Sequence, residues 1–157
     1  MKTMRDIVGE HPFFAGMQSE HLDLIAGCAA NTVFTSDQYI LREGDPADTF
    51  WLITHGRAAL EVFVPGRGPL MLQTIEPGEV LGWSWLFPPH RWRYDGRALD
   101  QVRALAIDGR CLRDKADADH DLGYELMRRF AAVVIDLLSA TRLQLVDTHA
   151  HAHAGTR

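Results

Sequence analysis

The chain has 157 residues, 46% of them hydrophobic, which is enough for one domain with its own core. The 16 basic and 21 acidic side chains give a net charge of −5, which argues against a surface that holds a nucleic-acid backbone through charge. Charges or turn residues interrupt every apolar stretch before it reaches the ~20 residues of a membrane-spanning helix. The sequence therefore predicts a soluble protein that binds neither nucleic acid nor a membrane.

The two cysteines, Cys28 and Cys111, lie far apart and match no metal-ligand or redox spacing. The N-terminus shows no basic region followed by an apolar run and small cleavage residues, so nothing there indicates secretion. These features predict reduced thiols and a cytoplasmic location.

Residues 1–30 are expected to form N-terminal helices. From Ser19 to Ala30 the apolar residues recur at spacings of three and four, which is typical of a short amphipathic helix. Ser19 is placed to cap its first turn. A shorter helical segment is expected near residues 3–8.

Residues 31–107 read as a block of β-strands, because short runs rich in Val, Ile, Leu, Phe and Trp alternate with Gly, Pro and Asp clusters. Many short strands in so few residues favour a roll or jelly roll over an open sheet. Six predicted strands lie near 32–35, 39–42, 49–54, 57–64, 70–75 and 97–107, and the complete roll is expected to have six to eight.

Residues 108–148 return to a helical pattern, with a short segment at 109–116 and a long helix from about residue 119 to 147. The long helix carries two adjacent apolar stripes, and because one face suffices to cover a small roll, the second predicts a homodimer. The alternative is one wide stripe buried on its own domain. Residues 149–157 lack an apolar anchor and are predicted to be disordered. The two stripes are Leu126, Phe130, Val133, Leu137 and Ala140, and Met127, Val134, Leu138 and Leu145.

Two segments carry a resemblance to a known family. The first is Arg42–Leu60, where Gly44 and Gly56 suit turns and the Asp residues can fix a corner through backbone amides. The second is Ile75–Phe87, with a Pro-Gly turn followed by Gly82. Together they resemble the cyclic-nucleotide-binding domain family, the sensor half of catabolite-activator-type regulators and of kinase regulatory subunits. The resemblance covers about residues 13–147 and implies a mainly β fold, a double-stranded β-helix or jelly roll with flanking helices and a long C-terminal helix.

The chain departs from the family at the residues that bind the ligand. The resemblance implies a glutamate after Gly82 to accept from the ribose hydroxyl, and Trp83 stands there. It also implies an arginine followed by a hydroxyl residue to hold the cyclic phosphate, where this chain has HRWRYDGRAL. One register puts Trp92 at the arginine, and a gap of one brings Arg91 or Arg93 there. Weak or absent cyclic AMP binding is therefore expected, while a divergent phosphate site that still binds a cyclic nucleotide is an alternative.

Aromatic and arginine side chains concentrate around this expected pocket. They could stack on a small planar anion or a cyclic nucleotide and hold its charge, they could plug a vacated pocket, or they could form a patch for a protein partner. The candidate ligand-binding residues are Gly82, Trp83, Ser84, Trp85, Arg91, Trp92, Arg93 and Tyr94.

No catalytic or metal-binding residues are assigned. The histidines outside the tail stand singly, so they do not form the convergent set of a cupin metal site, and no Gly-x-Ser-x-Gly elbow surrounds Ser84. The segment after the long helix is too short for a helix-turn-helix, so direct DNA reading is not expected.

The sequence thus predicts a regulatory module rather than an enzyme. Its roll would bind a small effector in an altered pocket, and the junction at Asp108–Asp119 would transmit occupancy to the dimer. The competing hypothesis is a ligand-free dimerisation or interaction module whose pocket is filled by tryptophan.

Overall fold

The computed structural model describes residues 1–154 of the chain. Antiparallel strands form two four-stranded sheets, and helices flank them at both ends of the chain. This confirms the predicted fold class, a β-roll with a long C-terminal helix. The strands are β1 (Ala29–Phe34), β2 (Tyr39–Leu41), β3 (Thr49–His55), β4 (Ala58–Val64), β5 (Gly68–Ile75), β6 (Val80–Leu81), β7 (Asp95–Ala98) and β8 (Val102–Asp108). The helices are α1 (Met4–Glu10), α2 (Ser19–Ala26), α3 (Gly109–Ala118) and α4 (His120–Ala154), with 3-10 turns at Pro12–Phe14 and Ser84–Leu86.

The first sheet has the order β1-β8-β3-β6 and the second the order β2-β7-β4-β5. The sequence predicted one strand over 97–107, but the structure has two strands there, one in each sheet. The chain turns between them because the Asp100 carboxylate accepts from the Arg57 backbone N–H (2.7 Å) and the Leu99 N–H donates to the Arg57 carbonyl (2.9 Å). This turn moves the chain from one sheet to the other, as a roll requires.

Strand β4 buries both of its faces over its first half. Glu61 is only 4% exposed, and Arg97 of β7 donates to its two carboxylate oxygens at 2.9 and 3.1 Å. Alternation of more and less exposed side chains is seen only further along, where Phe63 is 62% exposed between less exposed neighbours. The ion pair with Arg97 therefore allows a charged residue to be buried on the face of β4 opposite Leu60.

The N-terminal helices begin differently from each other. Helix α1 starts with a capping box between Thr3 and Asp6, which exchange side-chain and backbone hydrogen bonds. Helix α2 begins at Ser19 itself, with Gln18 at the capping position and no side-chain capping bond. The prediction that Ser19 caps this helix is therefore wrong, because Ser19 already belongs to the first turn.

A cluster of aromatic rings joins the roll to the C-terminal helix. The ring of Phe50 on β3 stacks on Trp85 at 4.6 Å between centroids, and Phe130 of α4 meets both rings edge to face at 5.1 and 5.2 Å. Phe13 contacts the other side of Phe130 at 5.0 Å. Four elements distant in sequence thus share one packed core.

Helix α4 lies on the roll through its first apolar stripe. Leu122, Leu126 and Phe130 are fully buried, and Val133 and Leu137 are partly buried against the core. The helix then continues to Ala154, which contradicts the predicted disorder of 149–154; alternating alanines in this segment favour continuation of the helix. Residues 155–157 lie outside the described residues. Within residues 1–154, no helix is both long and apolar enough to cross a bilayer.

The two cysteines are bonded to each other. Cys28, just before β1, forms a disulfide with Cys111 in the first turn of α3, with 5.9 Å between their Cα atoms. The expectation of reduced thiols is therefore contradicted, because the roll brings together two residues separated by 83 positions. The bond fixes the start of α3 to the end of the N-terminal helices.

Candidate functional site

Two glycines shape the segment that leads into the site. Gly78 and Gly82 have φ angles of +91° and +100°, a backbone region that favours glycine. A Cβ on Gly82 would lie 2.6 Å from the Trp92 ring, so no larger residue fits without moving that ring. The tight approach carries the chain from β6 into the 3-10 turn and places Trp83 beside the interior of the roll.

An open cavity of about 290 Å³ lies between the roll and α4. Its walls are apolar side chains of β4, β5, β6 and α4, and polar groups enter from Trp83, Tyr94 and the rim. The volume is near the lower end of the range for small-molecule sites. The lining residues that the argument uses are Leu60, Gln73, Ile75, Glu79, Val80, Gly82, Trp83, Tyr94, Arg129, Val133, Asp136 and Leu137.

Two hydrogen-bond donors in this cavity have no partner within the protein. Tyr94 is 2% exposed, and neither its hydroxyl nor the indole Nε1 of Trp83 makes a hydrogen bond. Burial raises the pKa of Tyr94, and the backbone and indole N–H groups of Trp83, which approach its hydroxyl oxygen without normal hydrogen-bond geometry, lower it only in part, so the phenol stays protonated at physiological pH. Buried polar groups normally have a hydrogen-bond partner. Two buried polar groups that lack one beside a cavity are therefore the arrangement expected of a ligand site.

The charged groups around the cavity are mainly acidic. Glu79 and Asp136 are exposed residues of its lining, on the roll and on α4 respectively. The cation of the lining, Arg129, is already engaged: its two terminal nitrogens donate to the Phe13 carbonyl at 2.8 Å and the Ala15 carbonyl at 3.0 Å. Arg129 therefore secures α4 to the N-terminal segment rather than offering free donors to an anion.

Three of the predicted site residues, Gly82, Trp83 and Tyr94, line the cavity together. Ser84 is buried beside it, with its hydroxyl unpaired. Trp85 is fully buried and belongs to the aromatic cluster with Phe50 and Phe130. This position corrects the expectation that Trp85 lies at a pocket mouth.

The remaining predicted residues do not line the cavity. Trp92 is 4% exposed and packs between Gly82 and Trp51, so it too is a core residue and not part of a pocket mouth. Arg91 is exposed and donates to the Gly44 carbonyl at 2.9 Å. Arg93 is exposed, with its guanidinium 5.9 Å from the Trp83 ring. Along this segment the side chains alternate between inside and outside, which turns Arg91 and Arg93 outward and Trp92 and Tyr94 inward.

Sequence reasoning missed the polar residues that enter the cavity from other elements. Gln73 comes from β5, Glu79 from the turn before β6, and Arg129 and Asp136 from α4. The one signal in the sequence was Leu137 in the first apolar stripe, which indicated that this face of α4 covers the roll. The spacing of charges along α4 did not distinguish lining residues from solvent-exposed ones.

Helix α3 connects the neighbourhood of the cavity to both ends of the chain. Arg113 donates to the Trp85 carbonyl in the 3-10 turn, and Lys115 donates to the Leu24 carbonyl of α2 at 2.7 Å. The Gly109 N–H donates to the Asp48 carbonyl at 2.8 Å. A displacement of the 3-10 turn would therefore act directly on α3. In residues 1–154, no three His, Cys, Asp or Glu side chains form a group that could hold a metal ion.

A family model and a curated relative both match this chain over its central part. The model of the cyclic nucleotide-binding domain family matches residues 31–119. A curated relative from Arabidopsis thaliana, named cyclic nucleotide-gated ion channel 18, is 30% identical over 117 residues, which are 68% of this chain and 17% of the channel. The chain thus spans less than a fifth of that relative's length.

Solved structures share the fold. A putative cyclic nucleotide-binding protein from Geobacter metallireducens superposes with a TM-score of 0.77 and 28% identity, over 85% of this chain and 97% of that one. The regulatory domain of Toxoplasma gondii PKA, solved with cAMP, has a TM-score of 0.68 and 17% identity, over 85% of this chain and 50% of that one. At that identity, the second comparison speaks for the fold alone.

Proposed function

Because the chain belongs to the cyclic-nucleotide-binding domain family, we propose that it is a regulatory sensor module and not an enzyme. Its cavity takes a small effector, and α3 with α4 reports whether the cavity is occupied. The observation that carries this proposal is the open cavity of about 290 Å³ whose lining includes residues of both the roll and α4. A ligand in contact with both bodies would stabilise one arrangement of them over another, which is the differential binding that a switch requires.

The competing hypothesis, a ligand-free module whose pocket is filled by tryptophan, has less support. Trp85 and Trp92 pack into the core and do not line the cavity, and Trp83 lines it without filling it. The unpaired Tyr94 hydroxyl also favours a ligand, because a pocket closed for good would leave that group unsatisfied. Binding of cyclic AMP itself is expected to be weak. Trp83 in place of the ribose-binding glutamate removes an acceptor worth ~1.5–3 kcal/mol, or at least about tenfold in affinity.

A thermal-shift screen tests the sensor function. The panel contains cyclic mono- and dinucleotides, nucleosides and small planar anions. A ligand at about 100 times its Kd stabilises the folded state by ~2.7 kcal/mol, which for a chain of this size raises Tm by roughly 5–10 °C. Leu137→Trp, which puts an indole into the cavity, is expected to abolish the shift.

The matched control is Leu143→Trp, an equal change at a residue of α4 that is 71% exposed and does not line the cavity. It should keep the full ligand shift. If no panel member raises the Tm of the wild type, the ligand-free interaction module replaces the sensor as the better hypothesis.

We also propose that the module is a homodimer through α4. Beyond the face that covers the roll, Tyr124, Leu138 and Leu145 are 65%, 68% and 61% exposed, and they stand at intervals that are multiples of seven residues. Met127 and Val134 form a second set seven residues apart on the adjoining positions. Two interleaved sets with this period are the pattern that pairs helices in a coiled coil.

The dimer proposal predicts that Leu138→Glu combined with Leu145→Glu gives a monomer. Two carboxylates on the seam would have to be buried against their copies, at a cost far above the apolar contacts they replace. The measurement is molar mass by light scattering after size exclusion. Ser139→Glu, an exposed neighbour outside both sets, should remain dimeric, and a monomeric wild type at high micromolar concentration would contradict the proposal.

A further inference from the structure

We infer that the cavity selects an uncharged planar ligand, of the class of a purine nucleoside, over a cyclic phosphate. The inference rests on the proposed sensor function and names the ligand class of the same cavity. Three independent features carry it: the charges around the cavity, the fate of the nearby arginines, and the two unpaired donors inside.

The charges around the cavity disfavour an anion. Its lining contains two carboxylates, Glu79 and Asp136, and one cation, Arg129. The two terminal nitrogens of Arg129 are held by backbone carbonyls at 2.8 and 3.0 Å, and its Nε lies 3.7 Å from the Glu125 carboxylate. To bind a phosphate, this guanidinium would have to leave all three partners and release α4 from the N-terminal segment. A negatively charged ligand therefore meets uncompensated repulsion at the rim.

The arginines that precede β7 or lie on it do not supply a free cation in place of Arg129. Arg91 donates to the Gly44 carbonyl, and Arg93 is an exposed residue near the Trp83 ring. Arg97 is held by the buried carboxylate of Glu61 and by Asp37 at 2.8 Å, and it is not part of the lining. The segment that resembles a phosphate site thus has its cations turned outward or paired. Because buried anions in proteins are matched by a paired cation or by several donors, the interior is suited to a neutral molecule.

The unpaired donors define what the ligand must offer. The Trp83 N–H groups approach the Tyr94 oxygen, so the group left without an acceptor is the Tyr94 hydroxyl proton, which a ring nitrogen, a carbonyl oxygen or a hydroxyl could accept. The walls around them, Leu60, Val80 and Val133, suit an apolar planar surface. At the rim, the Asp136 carboxylate and the Glu79 oxygen that does not accept from the Glu76 N–H can accept from ligand hydroxyls or amino groups. A planar heterocycle with ring acceptors and a hydroxylated, uncharged appendage satisfies every one of these groups.

Isothermal titration of the full chain tests this inference with guanosine, adenosine, cyclic GMP and cyclic AMP. At least one nucleoside is expected to bind about tenfold or more tightly than its own cyclic phosphate. Tyr94→Phe keeps the ring and removes the hydroxyl, and it should weaken nucleoside binding by roughly 5–10-fold. Tyr39→Phe, the same change on the 38% exposed Tyr39 of β2, should leave the affinity unchanged.

A second variant addresses the charge directly. Asp136→Asn retains a polar group at the rim and removes one negative charge. The cyclic phosphate should therefore bind several-fold more tightly, which reduces the ratio of nucleoside affinity to cyclic phosphate affinity. A cyclic phosphate that binds the wild type as tightly as its nucleoside overturns the inference and leaves the sensor function standing. So does a panel in which only charged ligands bind. If none of these four ligands binds, the inference falls, while the sensor function falls only if the wider thermal-shift panel also gives no ligand.

Discussion

Phe130→Ala is expected to destabilise the chain by ~3–5 kcal/mol, because it leaves a cavity where three aromatic rings now meet. The Phe130 ring is fully buried and contacts Phe13, Phe50 and Trp85 at centroid distances of 5.0–5.2 Å. Together with Leu122 and Leu126, it packs α4 into the core of the roll. Chemical denaturation followed by tryptophan fluorescence measures the loss, since Trp85 contacts the deleted ring edge to face.

The same substitution separates packing from ligand binding. Because Phe130 positions the face of α4 that lines the cavity, its loss should also weaken any ligand that contacts both bodies. Arg128→Ala, on the exposed side of the same helix, should change neither the free energy of unfolding nor that of ligand binding by more than about 0.5 kcal/mol. A Phe130→Ala chain as stable as the wild type would show that α4 is not docked on the roll.

Loss of the disulfide is expected to cost ~2–4 kcal/mol, because the bond closes a long loop and restricts the unfolded chain. The linked residues, Cys28 and Cys111, are 83 positions apart. The measurement compares denaturation midpoints of the wild type with and without a dithiol reductant. Cys28→Ser combined with Cys111→Ser should reproduce the reduced midpoint and no longer respond to the reductant.

The position of this bond adds a ligand-binding readout. Cys111 lies in α3, which also contacts the 3-10 turn through Arg113 and α2 through Lys115. Releasing the bond should therefore loosen α3 relative to α2 and change ligand affinity in parallel with stability. Thiol titration that finds two free groups per chain before any reduction would contradict the bonded state.

The elements that sequence reasoning identified well were those with a strong local pattern. The first apolar stripe of α4 identified the buried face because three- and four-residue spacing maps directly onto one side of a helix. The turn residues around Gly44, Gly56 and Gly78 located the corners of the roll, since a positive φ is open to glycine at no steric cost. Resemblance then linked these local patterns to a known fold.

The errors came where non-local contacts decide the outcome. Trp85 and Trp92 were assigned to a pocket because aromatic residues are common in pockets, but contacts with Phe50 and Gly82 place them in the core. The disulfide depends on two residues 83 positions apart, which no local spacing can reveal. The structure places the predicted residues Trp83 and Tyr94 at the cavity, while Gln73 and Glu79 reach it through sheet pairing that the sequence does not encode locally.

The length of α4 has a mechanical consequence. Beyond Gln144, whose side-chain amide donates to the Met71 carbonyl of β5 at 3.0 Å, the helix extends a further ~15 Å to Ala154 at the usual rise per residue. A tilt of ~10° about that contact would sweep the far end of the helix through ~3 Å. Under the proposed sensor function, the helix would act as a lever that converts a small adjustment at the roll into a larger displacement of its far end.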